Sequence, residues 1–391
     1  MNSSDSIVYP DYKNSLINIP YSVQDIFGIP SNRKLSQDSF PYQSKNWNRV
    51  IVFLIDGFGM KQWKKYKDHP VLYKLYHEGV FTDLTSIYPS ETAAAMTTFH
   101  TGLYPKEHGI IGKYIYDNSM DSSFSFFKRN KISGSSDIDS EKLNIDSRIY
   151  KNLSSVGVDC KYVAPYNHVK YNNTNMYPYT KSNISEAGEK IISTVSNNKG
   201  KEYILGYFPQ VDSVGHKNKY NSANYRNTLG QILRTIDTVL TNIPNNKETL
   251  VLLTADHGQK RTSKYVNLNN LEWLNENLKK HNSGEHIKYS GNYKNVHLHL
   301  QDNIVEIKDK FEKQFGAKVF TRNEILNNNL FGSVESSLAF KQRVGDLVVT
   351  HPKTCFWYHS EEEFNYTGIH SGMSEDEMKI PFASIPLDEY I

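Results

Sequence analysis

The stretch RVIVFLIDGFG, Arg49 to Gly59, decides the fold. Residues 49–55 form an apolar run of strand length without alternation, the pattern of a strand covered on both faces as in a parallel sheet. Asp56 ends the run, and Gly57 and Gly59 break it. Two later segments repeat this plan. Residues 203–208 read as a core strand followed by PQVDSVGH, and residues 250–254 as another followed by ADHG. Each core strand therefore delivers a carboxylate just past its end: Asp56, Asp212 and Asp256.

Helical patterns near 61–77, 93–101, 147–156, 185–196 and 221–242 alternate with these strands and with shorter ones at 81–86 and 159–163. Such alternation predicts an α/β fold, a doubly wound and mostly parallel sheet flanked by helices, with ligands gathered at the carboxyl ends of its strands. Residues 1–47 show no sustained period and read as an arm over a core made of 48–261 and 336–391. Residues 262–335 read as a small inserted α+β subdomain, with helices at 268–280, 304–315 and 322–327 and strands at 295–300 and 318–321. The chain is expected to return to the main sheet near 346–349. The polar run 113–147, with SGSSDIDS at 133–140, reads as an exposed loop, and the Tyr- and Asn-rich run 166–184 as a loop over the site.

Composition narrows the function classes. The 391 residues carry a net charge of +3, with basic residues scattered rather than clustered, so bulk nucleic-acid binding is not expected. No apolar run approaches the roughly 18 residues of a membrane span. The N-terminal residues lack the basic and then apolar regions of a secretory signal, so a cytoplasmic location is expected. Cys160 and Cys355 are too few and too far apart for a disulfide framework. Nothing in the sequence fixes an oligomeric state.

The three carboxylates have company. His216 stands four residues after Asp212, so a helical turn would put both on one face. His257 follows Asp256 directly, and GIHSGMS adds His370 late in the chain. Singly, each fragment is also what a turn looks like. Jointly, at strand ends of a parallel sheet, they supply the oxygen and nitrogen ligands with which phosphoryl-transfer enzymes hold two cations about 4 Å apart. YPSETAAAMTTFHTG, residues 88–102, places the Thr92 hydroxyl at the start of an Ala-rich helix. There threonine serves as an N-cap at about 1 kcal/mol, and the helix dipole would also favour its alkoxide. His100 and His108 follow no strand end and read as packing residues. His281, His286, His297 and His299 read as solvent-facing or core histidines of the insertion rather than a metal site.

The fragments FLIDGFG, YPSETAAAMTTFHTGLYPKEHGIIG, VDSVGH, TADHG and GIHSGMSEDEMKIP occur in this order between residues 49 and 383. In this the chain resembles the alkaline phosphatase superfamily, and within it the type I phosphodiesterase and nucleotide pyrophosphatase branch. The resemblance implies a metal-dependent hydrolase in which Asp56, Thr92, Asp256 and His257 bind one zinc ion and Asp212, His216 and His370 the other, with manganese able to take the same ligands. It implies a small phosphorylated substrate, a nucleotide among the candidates, cleaved through a phosphothreonyl intermediate on Thr92. Two departures bear on specificity. Lys113 stands twenty-one residues beyond Thr92, where those enzymes carry a phosphate-binding Asn, and Ala93 stands where they often carry a base-stacking ring. Tyr166, Tyr171 or Phe99 could supply a ring from elsewhere. Lys113 suits a more highly charged group, so a phosphomonoesterase or phosphonate hydrolase is the first rival. A catalytically idle binding module is the second.

Overall fold

The structure, a computed structural model, describes residues 6–41, 46–137, 145–166, 168–195, 200–219, 221–244, 247–262, 264–358 and 366–391. Its central strand is Arg49–Ile55, buried at every position. It pairs in parallel with Lys201–Phe208 on one side and Thr249–Thr254 on the other. The three ends are nearly flush, because Ile55 pairs with Phe208 and Leu54 with Thr254. That register brings the chain segments after the three strands together at one edge. Val158–Pro165 and Asn175–Tyr179 extend the sheet in parallel. Lys379–Pro386 runs antiparallel between Thr249–Thr254 and Val80–Thr85. The expected mostly parallel sheet is therefore present, flanked by helices such as Ile184–Thr194 and Ala223–Asn242 whose apolar stripes face it.

A second seven-stranded sheet, antiparallel in every pairing, lies beside the site. It corrects two expectations. The run read as an exposed loop contains the meander Tyr114–Asp117, Ser122–Ser125 and Asn130–Gly134. The paired Ile115 and Phe124 are fully buried there, and the serines around them supply no hydrophobic alternation that sequence alone could detect. Part of SGSSDIDS, residues 138–140, lies outside the described residues. The strand near 346–349, observed as Leu347–Thr350, joins this second sheet against Asn295–Leu298 and Lys318–Thr321; the return to the main sheet comes only at Lys379–Pro386.

Smaller departures have local causes. The helix expected over 61–77 is split into Met60–Tyr66 and Pro70–His77, since Pro70 lacks the N–H to continue it. The helix expected over 268–280 is reduced to short turns at Leu268–Asn270 and Glu272–Asn275. Here the Asn275 side chain donates to the carbonyls of Leu268 and Leu271, and Asn267 accepts from the Asn269 amide, so side chains compete with helical pairing. The Tyr-rich run includes the edge strand Asn175–Tyr179. Within the arm, Asn18–Ile26 is a helix, and Tyr21 donates to the Gly102 carbonyl at 2.8 Å. No helix among the described residues is long and apolar enough to cross a membrane.

Candidate active site

The flush strand ends carry the site. Asp56 follows Arg49–Ile55 directly, with its amide donating to the Phe208 carbonyl at 3.1 Å. Gly57 has φ +72°, and a Cβ there would stand 3.0 Å from the Asp212 Cβ, so the turn that lets Asp212 approach requires glycine. After Phe208 the chain forms the helix Gln210–Lys217, which presents Asp212 and His216 on one face as expected, with His216 Nε2 3.2 Å from Asp212 Oδ2. A Cβ on Gly215 would lie 1.9 Å from Gln259 Oε1. That glycine admits the Gln259 side chain, whose Nε2 donates to Asp212 Oδ1 at 2.6 Å.

Asp256 and His257 follow Thr249–Thr254. The pairing of Lys260–Arg261 with Gly368–Ile369 then brings His370 beside them, its ring stacked on that of His257 at 3.9 Å. The Ser371 amide donates to the Ser90 carbonyl at 2.8 Å, tying this segment to the turn that carries Thr92. Beneath it the buried pair Lys294 and Glu377, 3.1 Å apart, anchors the segment, because Glu377 Oε1 accepts from the Gly372 amide.

Thr92 is the first residue of the helix Thr92–Thr101, and the cap is Glu91, whose carboxylate accepts from the Ala93 amide at 3.1 Å. The N-cap role expected for Thr92 thus falls to its neighbour. The Thr92 hydroxyl points instead into the site, 3.0 Å from His257 Nε2 and 3.5 Å from Asp56 Oδ1.

The chemistry of this donor set fits cations. His216, His257 and His370 each place Nδ1 against a backbone carbonyl, of Gly368, Gly258 and Ser90 respectively. A carbonyl only accepts, so each Nδ1 carries the proton and each Nε2 offers a lone pair to the site. Asp256 Oδ1 accepts from the Gly57 and His257 amides, whereas its Oδ2 is buried without a hydrogen-bond partner among the described residues, 3.3 Å from His257 Nε2. Asp56 Oδ2 accepts from the Tyr207 hydroxyl. Among the described residues two groups of ligand atoms are close enough to hold an ion: Asp212, His216 and His370, and Asp56, Asp212 and His257, with Asp212 in both.

Electrostatics agree. Burial pushes the Asp256 carboxyl up to about 8. Burial, with Asp256 and Asp212 beside it, also holds Asp56 well above the usual carboxylate range. For Asp212 burial acts in the same sense, but His216, His370 and His257 outweigh it and hold the group low. Burial, then His257, keeps His370 neutral. Carboxyls crowded and desolvated in this way ionise fully only beside a compensating positive charge.

A cleft of about 380 Å³ opens over these groups, and Lys113 lines it together with Lys181, Phe127, Tyr166, Tyr293 and Tyr366. Of the rings considered from sequence, Tyr166 reaches the cleft. Tyr171 is stacked on His100 at 3.8 Å and Phe99 is buried in the main core. His108 pairs with the Thr98 hydroxyl and His100 with that of Tyr150, so both are packing residues. His297 and His299 are buried, each pushed down to about 3 by burial, and His281 pairs with Asp121. Sequence reasoning missed Tyr207 and Gln259, which orient the carboxylates. Tyr207 sits inside a strand whose apolar pattern conceals it, and Gln259 carries only the faint signal of following DHG.

Fold and site together define an alkaline-phosphatase-like α/β protein with a cluster of carboxylates and imidazoles suited to metal ions. The family model for type I phosphodiesterase / nucleotide pyrophosphatase matches residues 50–373, and the chain belongs to that family. An ectonucleotide pyrophosphatase/phosphodiesterase 1 of Saccharomyces cerevisiae is 25% identical over 329 residues, covering 66% of this chain and 42% of that one. The bis(5'-adenosyl)-triphosphatase enpp4 of Mus musculus is 24% identical over 235 residues, 55% of this chain and 48% of that one. The chain spans less than half the length of these curated relatives. In fold it is similar to murine ectonucleotide pyrophosphatase/phosphodiesterase 5, with a TM-score of 0.66 at 18% identity over 85% of this chain and 87% of that one. An inactive form of that murine protein has been solved with AMP.

Proposed function

We propose that the protein is a two-metal phosphodiesterase or nucleotide pyrophosphatase that hydrolyses phosphodiester or phosphoanhydride bonds through an ester on Thr92. The observation that carries this reading is the Thr92 hydroxyl, set between His257 Nε2 and Asp56 Oδ1 at a helix start and facing the cleft. Asp56, Thr92, Asp256 and His257 would hold one ion and Asp212, His216 and His370 the other. Zinc is the ion best suited to this mixture of imidazole and carboxylate, with manganese next. Two bound divalent cations supply positive charge that lowers the pKa of a neighbouring hydroxyl and offsets charge on the phosphoryl oxygens.

The chain's own residues do the rest. Asp56 and His257 fix the Thr92 oxygen on the cleft side, and the N-terminal end of helix Thr92–Thr101 favours the developing alkoxide. Attack by Thr92 on phosphorus expels the leaving group, and water then hydrolyses the threonyl ester. Lys113 adds a positive charge at the cleft wall for the phosphoryl oxygens or the leaving group. The relatives named for nucleotide substrates, and the AMP complex of the murine structure, support a nucleotide as the substrate class. A reducing, cytoplasmic location is part of the proposal, supported by Cys160 and Cys355 being buried free thiols.

The test is hydrolysis of bis-p-nitrophenyl phosphate against p-nitrophenyl phosphate by zinc-loaded protein. Preference for the diester, lost in Thr92→Ala, is the expected result. Lys113 favours a second reading, a phosphomonoesterase or phosphonate hydrolase, and clear preference for the monoester would replace the first reading with it.

A further inference from the structure

The parallel strand Val158–Pro165 also ends at the cleft, and just past its end the half-buried imidazole of His168 lines the wall. The His168 amide donates to the Pro165 carbonyl at 3.2 Å, which fixes the turn. Its ring lies 4.8 Å from that of Tyr207, whose hydroxyl serves Asp56. On the other side His168 Nδ1 stands 2.9 Å from the hydroxyl oxygen of Tyr162, a side chain with no exposed surface.

That pairing decides where the imidazole proton sits. The Tyr162 hydroxyl has no other partner among the described residues, and a buried phenol proton without an acceptor is costly, so Tyr162 donates and Nδ1 accepts. Burial, with Lys181 acting in the same sense, pushes His168 down to about 4 and keeps it neutral. The one ring proton is therefore on Nε2, which no described residue engages, and with Nδ1 turned to the core it is left to the cleft. His216, His257 and His370 are built the opposite way, with Nδ1–H on carbonyls and a lone pair toward the site. They suit cations, whereas His168 is a fixed hydrogen-bond donor.

The wall around this donor is partly apolar, with Pro165 before it and the Phe127 ring at 6.4 Å. A neutral donor in such a place rewards an acceptor on the substrate and penalises a second donor, because two facing protons leave both groups unpaired. Nucleotides offer that choice on one base edge: uracil carries the O4 carbonyl where cytosine carries the N4 amine. We propose that His168 is a specificity-determining residue, whose Nε2–H donates to a base carbonyl and so selects keto bases over amino bases at the same edge. The inference rests on the catalytic cleft being the nucleotide-cleaving site proposed above.

The test uses zinc-loaded protein and two esters that differ only in that edge, the p-nitrophenyl esters of uridine and cytidine 5′-monophosphate. Phosphate and leaving group are the same, so the ratio of their kcat/KM values reads the edge alone. Wild type should favour the uridine ester about tenfold. His168→Phe should bring the ratio close to one, and His168→Gln, whose amide carries a donor to the same place, should keep most of it. Tyr162→Phe leaves His168 in position but frees its tautomer, and should lower the ratio part of the way. Nitrogen-15 spectra of histidine-labelled protein give a readout that needs no substrate: the signal lost in His168→Phe should show Nε2 protonated and Nδ1 bare. A ratio near one in wild type, a ratio that survives His168→Phe, or a proton on Nδ1 overturns the proposal. If neither ester is cleaved, the catalytic reading fails separately. Tighter binding of uridine than of cytidine 5′-monophosphate, in wild type but not in His168→Phe, then still supports the donor, and equal or absent binding overturns it.

Discussion

Tyr207→Phe removes one oxygen and nothing else. The residue is buried on the central sheet, and its hydroxyl donates to Asp56 Oδ2 while Asp56 Oδ1 faces Thr92 and His257. Phenylalanine fills the same volume, so no cavity term enters. What is lost is a hydrogen bond to a charged acceptor, worth about 1.5–3 kcal/mol, and with it the group that aims the carboxylate. At 1.4 kcal/mol per factor of ten, this corresponds to about 10- to 100-fold weaker metal binding, in line with what outer hydrogen-bond partners of metal ligands typically contribute. Zinc titration against a chromogenic chelator measures it, with circular dichroism reporting that the fold is kept. Catalysis should recover much of its loss at saturating zinc, because Thr92 and the other ligands are untouched. Zinc affinity within twofold of wild type would refute the argument that Asp56 is a ligand oriented by Tyr207.

Two more predictions follow from the buried charges. Lys294→Met leaves Glu377 desolvated and unpaired beneath the His370 segment, and should lower unfolding free energy by about 3–5 kcal/mol in urea titrations, whereas the double change with Glu377→Gln recovers part of it. In metal-free protein Asp56 and Asp256 have folded pKa values raised by burial, Asp256 to about 8. The folded state therefore binds more protons than the unfolded one above the ordinary carboxylate range, and their contribution to stability is lost as pH rises toward 8. Thermal unfolding in a chelator should fall between pH 7 and 8.5, above the range in which buried neutral histidines such as His297, His299 and His370 take up protons on unfolding, and added zinc should reverse the trend; a metal-free Tm that rises over this window contradicts the assignment.

The sheet was legible because Arg49–Ile55, Lys201–Phe208 and Thr249–Thr254 are buried on both faces and so read as unbroken apolar runs. Their ends carried the carboxylates and imidazoles of the candidate site, and the i to i+4 spacing of Asp212 and His216 carried its own geometry. The meander Tyr114–Asp117, Ser122–Ser125 and Asn130–Gly134 was hidden because serines occupy its buried positions, where tertiary packing overrides composition. The strand Leu347–Thr350 was visible, but which sheet it joins depends on partners far away in sequence. Glu91 hid as the cap of helix Thr92–Thr101 because a Ser-Glu-Thr run offers several capping candidates and only the backbone angles choose among them.

The proposed function makes Thr92 the nucleophile of a metal-dependent phosphoester hydrolase. Zinc-loaded protein mixed with bis-p-nitrophenyl phosphate, quenched in acid within one turnover and digested for mass spectrometry, tests it directly. The expected result is a phosphoryl ester on the peptide that contains Thr92, absent in Thr92→Ala and absent when the metal is chelated. Turnover without any adduct on that peptide, or an adduct on another residue, would contradict it.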